Sequence, residues 1–456
     1  MSDFNVKERI EMLTDDMIRD LEKLVKYNSV QSDPLPGMPF GEGPAMVLKE
    51  ALKIADGMGF ETVNLDNYCG YAQIGQGKEI IGMVAHLDIV PAGDGWHTDP
   101  FVLTRKKDTL YGRGVSDDKG AAIASLYTLK LLRESGIPLD KRIRVIFGCN
   151  EETGSKCMKH YNEVEEPLTA GFTPDGEFPG IHGEKGFLRM TAFSKDTKII
   201  SMNGGFVGNA VCHKCTTQVS ENDVDVNCLK EALSKTDLIS YNIEHRDGKI
   251  TIEAQGKSAH ASTPLLGINA AACTMKALED AGMQDSFVRY YNSHIGLSCD
   301  GAGYGIRIGD EYGDLTLNNG IVKTQDGKIS ASIDIRYPVT YSAEKMKELV
   351  SGHLEDEDGV TIVNDVEDPL FYPADSPLVK SLYDAYVEVT KDTEHKPMVI
   401  GGGTYAKYIP GIIAFGCEFT GSDNHIHDAD EKLEIAELKA QVEIYEYAVR
   451  KLMEAY

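Results

Sequence analysis

Hydrophobic positions along this chain follow two different rhythms. Ile80-Ile81-Gly82-Met83-Val84-Ala85 and Ile143-Arg144-Val145-Ile146-Phe147 are short, nearly continuous apolar runs, the pattern of strands buried on both faces. A weaker strand is expected near Gly70–Ile74 and another at Ile412–Phe415. Between them lie segments with helical spacing. Thr14–Val30 reads as a first helix, capped by Thr14, with Asp15 and Asp16 in its positive first turn and Met17, Leu21, Leu24 and Val25 as its apolar stripe. Ala45–Met58, Ala121–Glu134, Pro377–Thr390 and a long amphipathic stretch ending at Tyr456 read the same way.

From about Gly186 the rhythm changes to alternation, which suits a sheet with one open face. Ile250–Ala254, Pro264–Ala281, Asp314–Val322, Lys328–Tyr337, Ser342–His353 and Val360–Asp365 give strand, helix, strand, strand, helix, strand, with a Gln325-Asp326-Gly327 turn in the middle. That is the order of a ferredoxin-like module. The expected division is a first domain built from residues 1–185 and 372–456, interrupted by an inserted domain at 186–371.

At 456 residues the chain exceeds what one core supports, which agrees with two domains. Its net charge of −26 repels phosphate backbones and argues against nucleic acid. No apolar run is long enough to span a bilayer, and Met1–Arg9 lacks the order of a secretory leader. A cytoplasmic protein is expected. The nine Cys show no regular framework, so they read as reduced thiols; Cys212-His213-Lys214-Cys215 has no second pair at zinc-finger distance.

The candidate chemistry sits where apolar runs end. Ile80–Ala85 is followed by His86 and, two residues on, Asp88; Ile143–Phe147 by Glu151 and Glu152; a third edge carries Asp175. Buried strands of an α/β sheet deliver such residues to the crevice where ligands bind. Asp117 and Asp118 precede a helix, where N-capping explains one of them and leaves the other over. Late in the chain, His425 and His427 lie in Gly421–Glu431. Two imidazoles with several carboxylates suit Zn²⁺, Mn²⁺ or Co²⁺ better than Ca²⁺ or Mg²⁺. One carboxylate more than a tetrahedral site needs suggests two ions bridged by an Asp, about 3.5–4 Å apart. Glu151, beside the ligands, is placed as a general base.

The ordered segments His86-Leu87-Asp88, Gly112–Gly120, Asn150-Glu151-Glu152-Thr153-Gly154, Pro174-Asp175-Gly176, Gly256–Ser262 and His427–Glu431 resemble the metal-dependent dipeptidases of the peptidase V type, within the wider family of carboxypeptidase G, aminoacylases and carnosinases. The resemblance implies an α/β fold: an α/β/α metallopeptidase catalytic domain with a mixed sheet, plus an inserted α+β lid domain containing the ferredoxin-like unit. It implies that one metal is held by His86, Asp117 and Asp175 and the other by Asp117, Glu152 and His427, with zinc the first expectation and Mn or Co as alternatives. It also implies a cis peptide after Asp117, with Asp88 orienting His86. Glu151 would take a proton from the bridging water and hand it to the leaving amine.

In the lid, His260 would stabilise the oxyanion and Arg336 would clamp the substrate carboxylate. Asn209 and the Gly402, Gly403 and Thr404 turn would be further substrate contacts. Read without the resemblance, Arg336 pairs with a carboxylate of its own domain and His260 caps a turn. The implied activity is hydrolysis of small dipeptides with a free N-terminus, by a monomer. The alternatives are an N-acyl amino-acid deacylase or carboxypeptidase on the same scaffold and, in another class, a metal-binding protein without catalysis.

Overall fold

The computed structural model describes residues 4–456. The chain divides into two compact units. One takes in the residues up to Gly183 with Tyr372–Met398 and Gly403–Tyr456; the other is Glu184–Phe371 with Val399–Gly402.

The first unit is organised on a mixed sheet. Its main run, in spatial order, is Glu61–Leu65, Cys69–Ile74, Arg142–Gly148, Ile80–His86, Ala170–Thr173, Ile412–Ala414 and Ile181–Glu184. Every residue of Ile80–His86 is buried. This strand runs parallel to both Arg142–Gly148 and Ala170–Thr173, so the C-terminal ends of all three lie along one edge. His86 is opposite Gly148, and Met83 is opposite Phe172. Three residues past Met83 is His86 and three past Phe172 is Asp175, which brings these two level. Helices Val6–Val25, Glu42–Gly57, Lys119–Glu134, Lys156–Val164, Pro377–Thr390 and Ile435–Ala455 and a small antiparallel sheet of Thr104–Lys106, Thr109–Tyr111 and Lys432–Glu434 belong to the same unit.

The first helix begins earlier than the capping pattern predicts. Asn5, not Thr14, accepts from the Glu8 amide and caps it. The buried stripe extends back through Leu13 to Ile10, and the Thr14 hydroxyl bonds the Ile10 carbonyl 2.9 Å away inside the helix. A hydroxyl satisfied within its own helix is no stop signal.

In the second unit eight strands form one antiparallel sheet. The ferredoxin-like unit is present, but its first strand is not Ile250–Ala254. Gly186–Ser194 lies between Lys328–Tyr337 and Gly359–Glu367, and Thr316–Gln325 pairs with Lys328–Tyr337 on the far side. The four core strands are therefore Gly186–Ser194, Thr316–Gln325, Lys328–Tyr337 and Gly359–Glu367. Strand Lys249–Gln255 belongs to an insertion, Ser201–Gly204, Lys214–Ser220, Val226–Ser234, Ser240–Arg246 and Lys249–Gln255, whose strands extend the sheet beyond Thr316–Gln325. The middle hairpin turns on Asp326 and Gly327 at φ 51° and 72°, the two positive dihedrals of a type I′ turn.

Val399–Gly402 clusters with this second unit because the Lys185 amide donates to the Ile400 carbonyl at 2.9 Å and Arg336 donates to the Gly401 carbonyl at 3.1 Å. All nine cysteines are free thiols. Among the described residues no helix is long and apolar enough to cross a membrane.

Candidate metal centre

Segments far apart in the chain converge at the C-terminal edge of the parallel strands. Asp117 is the hub. One carboxylate oxygen lies 2.8 Å from His86 Nε2 and the other 2.9 Å from His427 Nε2. His427 Nε2 is also 3.2 Å from Glu152 Oε1, and His86 Nε2 is 4.0 Å from Asp175 Oδ2. His86, Asp117, Glu152, Asp175 and His427 are thus brought together, with His427 rather than His425 reaching in. His425 instead faces Asp423 and the Ala429 carbonyl.

His86 is anchored from behind by a backbone group. Its Nδ1 lies 3.0 Å from the Asp88 carbonyl oxygen and 3.6 Å from the Asp88 carboxylate. The Asp88 carboxylate accepts instead from the backbone amides of Glu151 and Glu152, at 3.0 and 3.1 Å. It therefore fixes the turn that presents the two glutamates. Asp118 stands at the N-cap position of helix Lys119–Glu134 without capping it. Its Oδ2 accepts from the His86 amide at 3.0 Å, and its buried Oδ1 has no partner. The Asp117–Asp118 peptide is cis. Gly148, beside His86, has no room for a side chain: a Cβ there would sit 2.1 Å from the Tyr405 hydroxyl.

Charge is crowded here. Burial and the Asp175 carboxylate push Glu151 well above the usual carboxylate range. Burial and Asp117 raise Glu152 as well. Burial alone would raise Asp117, but its bonds to His427 and His86 override this and hold it low. Burial would depress His86, yet the Asp117 contact lifts it. Hydrogen bonds to Asp117 and Glu152 push His427 up to about 11.

Carboxylates packed in this way repel unless a cation or protons neutralise them. Two overlapping sets, His86 with Glu151 and Asp175, and His86 with Asp117 and Glu152, each place one donor atom per residue within 4.8 Å of the others. This mixture of imidazole and carboxylate oxygen suits a borderline transition ion. The residues fit a metal.

Sequence reasoning missed the residues that hold the ligands in place. Glu431 is fully buried and bonds the loop carrying Asp117. Its signal was a second acid beside Asp430, facing a Gly-Arg-Gly loop with bare amides.

His260, Asn209 and Arg336, expected in the lid, fall in the second unit; of the turn expected in the first domain, Gly403 and Thr404 fall in the first unit and Gly402 in the second. His260 and Asn209 are neighbours: Ala210 bridges to His260, and the Ala261 amide donates to the Asn209 carbonyl at 2.9 Å. Asn318 holds that loop by donating to the Gly208 and Ala210 carbonyls, both at 3.1 Å. His260 Nδ1 lies 2.7 Å from the Ser262 hydroxyl. Arg336 forms a two-pronged pair with Asp334 at 2.6 and 2.9 Å and lies over the Phe187 ring. Thr404 caps the turn Tyr405–Lys407.

Residues 82–451 match peptidase family M20/M25/M40. The chain is 33% identical over 457 residues to "Putative dipeptidase YtjP" of Bacillus subtilis (strain 168), covering 96% of this chain and 97% of the relative. It is 31% identical over 465 residues to "Putative dipeptidase SAB1611c" of Staphylococcus aureus (strain bovine RF122 / ET3-1), covering 98% and 99%. Human carnosine dipeptidase 1 shares the fold, with a TM-score of 0.62 over 98% of both chains at 16% identity. By a match that takes in most of its length, the chain belongs to peptidase family M20/M25/M40 and is a metallopeptidase.

Proposed function

We propose that this protein is a dipeptidase that hydrolyses small dipeptides with a free N-terminus, using two divalent ions and Glu151 as general base. The observation that carries the reading is Asp117, whose two oxygens face two different imidazoles, an arrangement suited to a bridging ligand. The relatives named as dipeptidases support the substrate class. One ion is assigned to His86, Asp117 and Asp175, the other to Asp117, Glu152 and His427, with zinc as the first candidate and Mn or Co as alternatives. Bound ions would polarise the scissile carbonyl and make a water a stronger nucleophile at neutral pH.

The chain's own residues do the rest. Glu151, held by Asp88 through its backbone amide, takes a proton from the attacking water as oxygen adds to the carbonyl carbon. It returns that proton to the nitrogen as the C–N bond breaks, leaving a carboxylic acid and an amine. The second proton of the water then passes from the acid to the amine to give carboxylate and ammonium. For residues 186–371 we propose the lid role, with His260 donating to the oxyanion. Arg336 serves the substrate carboxylate through the two N–H groups not engaged by Asp334 and Gly401. Asn209 and Gly402–Thr404 are proposed as further contacts.

Treatment with a chelator is expected to abolish cleavage of dialanine, and added Zn²⁺, Mn²⁺ or Co²⁺ to restore it. Trialanine and N-acetyl-dialanine are expected to be cleaved at least about tenfold less efficiently, because a pocket built for both charged ends leaves a polar group unpaired. Equal turnover of trialanine would remove the dipeptidase assignment. Undiminished cleavage of the acetylated substrate would favour a deacylase or carboxypeptidase.

Loading should also release protons. His427 is protonated at neutral pH when facing Asp117 and Glu152 alone, since its pKa stands at about 11, and a metal ligand must be neutral imidazole. Apparent affinity is therefore expected to fall up to about tenfold for each unit of pH decrease below that value, per proton displaced. Calorimetry in buffers of different ionisation enthalpy counts these protons. A pH-independent affinity between pH 6 and 8 would show that loading displaces no proton from His427.

A further inference from the structure

We propose that Glu431 is the positioning residue of the centre, a buried carboxylate that locks the loop bearing Asp117 to the segment bearing His427 and so sets the distance between their ligand atoms. The inference rests on the metal-centre reading above.

Glu431 follows His427 by four residues, is wholly buried, and lies outside the sets of donors that surround the centre. Its carboxylate takes four hydrogen bonds, all from one short loop. Oε2 accepts from Arg113 at 2.8 Å and from the Gly114 amide at 2.9 Å; Oε1 accepts from the Ser116 and Asp117 amides at 2.9 and 3.1 Å. The backbone answers in the other direction, with the Gly112 amide donating to the Glu431 carbonyl at 3.1 Å. Gly114 adopts φ 82° in this loop, and a Cβ there would lie 2.9 Å from Ile89 Cγ2.

The countercharge is itself fixed. Arg113 also donates to the Ala92 carbonyl at 3.2 Å and lies over the Trp96 ring. A second link joins the same two segments, from the Asn424 amide group to the Ser116 hydroxyl at 3.2 Å. Neither segment has helix or strand through its ligand: residues 112–118 are turns and bends, and 424–431 are turns, a bend and irregular backbone. The ladder that pairs Lys432–Glu434 with Thr109–Tyr111 sets their register only as far as Gly112 and Glu431; past that point, toward Asp117 and His427, no ladder continues and side-chain bonds hold the two segments together. A buried carboxylate that touches no metal needs full satisfaction by donors, and every donor here comes from the Asp117 loop. The bond at the Asp117 amide acts one residue's length from the bridging carboxylate. Groups that orient ligands in this way govern metal affinity.

The test is a Co²⁺ titration against a competing chelator, followed by visible absorption, on wild type, Glu431→Gln, Glu431→Asp and Arg113→Lys, with Tm measured on each. Wild type is expected to take up two Co²⁺. Glu431→Gln turns an N–H group toward Gly114 and Arg113, and should bind Co²⁺ about 10–100-fold more weakly with an altered spectrum. Glu431→Asp keeps the charge but is one methylene too short to reach all four donors, and should lie between the two. Arg113→Lys should lower Tm yet stay within about threefold of wild-type affinity, because the three backbone bonds remain.

Wild-type affinity and spectrum in both Glu431 variants, whatever their Tm, would overturn the proposal and make Glu431 a fold residue only. If Glu431→Gln does not fold, Glu431→Asp decides. An Arg113→Lys affinity as low as that of Glu431→Gln would transfer the role to the ion pair. Failure of wild type to bind two Co²⁺ would overturn the metal-centre reading itself.

Discussion

Replacing Glu151 with Gln is expected to lower turnover of dialanine by about 10²–10⁴-fold while KM stays within a few-fold and both metal ions remain bound. Gln keeps the length of the side chain and the backbone bond from residue 151 to Asp88. It removes only the capacity to accept and return a proton. The same experiment separates two roles that the geometry brings close, since Glu151 also lies within ligand distance of His86 and Asp175. A base leaves metal content at two when it is lost; a ligand does not. Steady-state kinetics with metal analysis on the purified variant check both. Turnover within threefold of wild type would end the assignment of Glu151 as base.

The second large effect is expected at Asp117. In Asp117→Ala both imidazoles lose the oxygen they face, His86 at 2.8 Å and His427 at 2.9 Å. Both proposed ions then lose the ligand they share, so bound metal should fall from two to one or fewer and dipeptide cleavage to background. Asp175→Ala, at the edge of the cluster, should lose one ion only. Metal content by mass spectrometry and far-UV circular dichroism on the same samples distinguish an emptied centre from a collapsed fold. Two ions retained in Asp117→Ala would show that no carboxylate bridge exists.

Much of this centre was legible because it sits where continuous apolar runs stop. Parallel strands that start in register also end in register, so His86, Glu151–Glu152 and Asp175 had to share an edge once their strands were recognised. The neighbour order of the second sheet was not legible. Gly186–Ser194 and Lys249–Gln255 alternate alike, and periodicity says which face of a strand is buried but nothing of which strand lies beside it. The start of the first helix was misread because a Thr can cap a helix or bond within one. For Arg336 the reading without the resemblance names a carboxylate of its own domain, and that pair is formed: Asp334, two residues earlier on a strand, projects from the same face. Glu431 escaped because a carboxylate among ligands looks like another ligand until its donors are seen.

The sheet of the second unit has a consequence for how this lineage tolerates change in length. The four core strands are contiguous in the sheet, and the incoming strand pairs with the outgoing one, Phe187 opposite Glu367. The added strands all lie on one outer margin, and the outermost, Ser240–Arg246, is almost wholly solvent-facing. Hairpins can be gained or lost at that margin without re-registering any core pair. Natural variation in chain length should therefore gather between positions 195 and 256, while the spacing from His86 to Asp175 stays nearly constant.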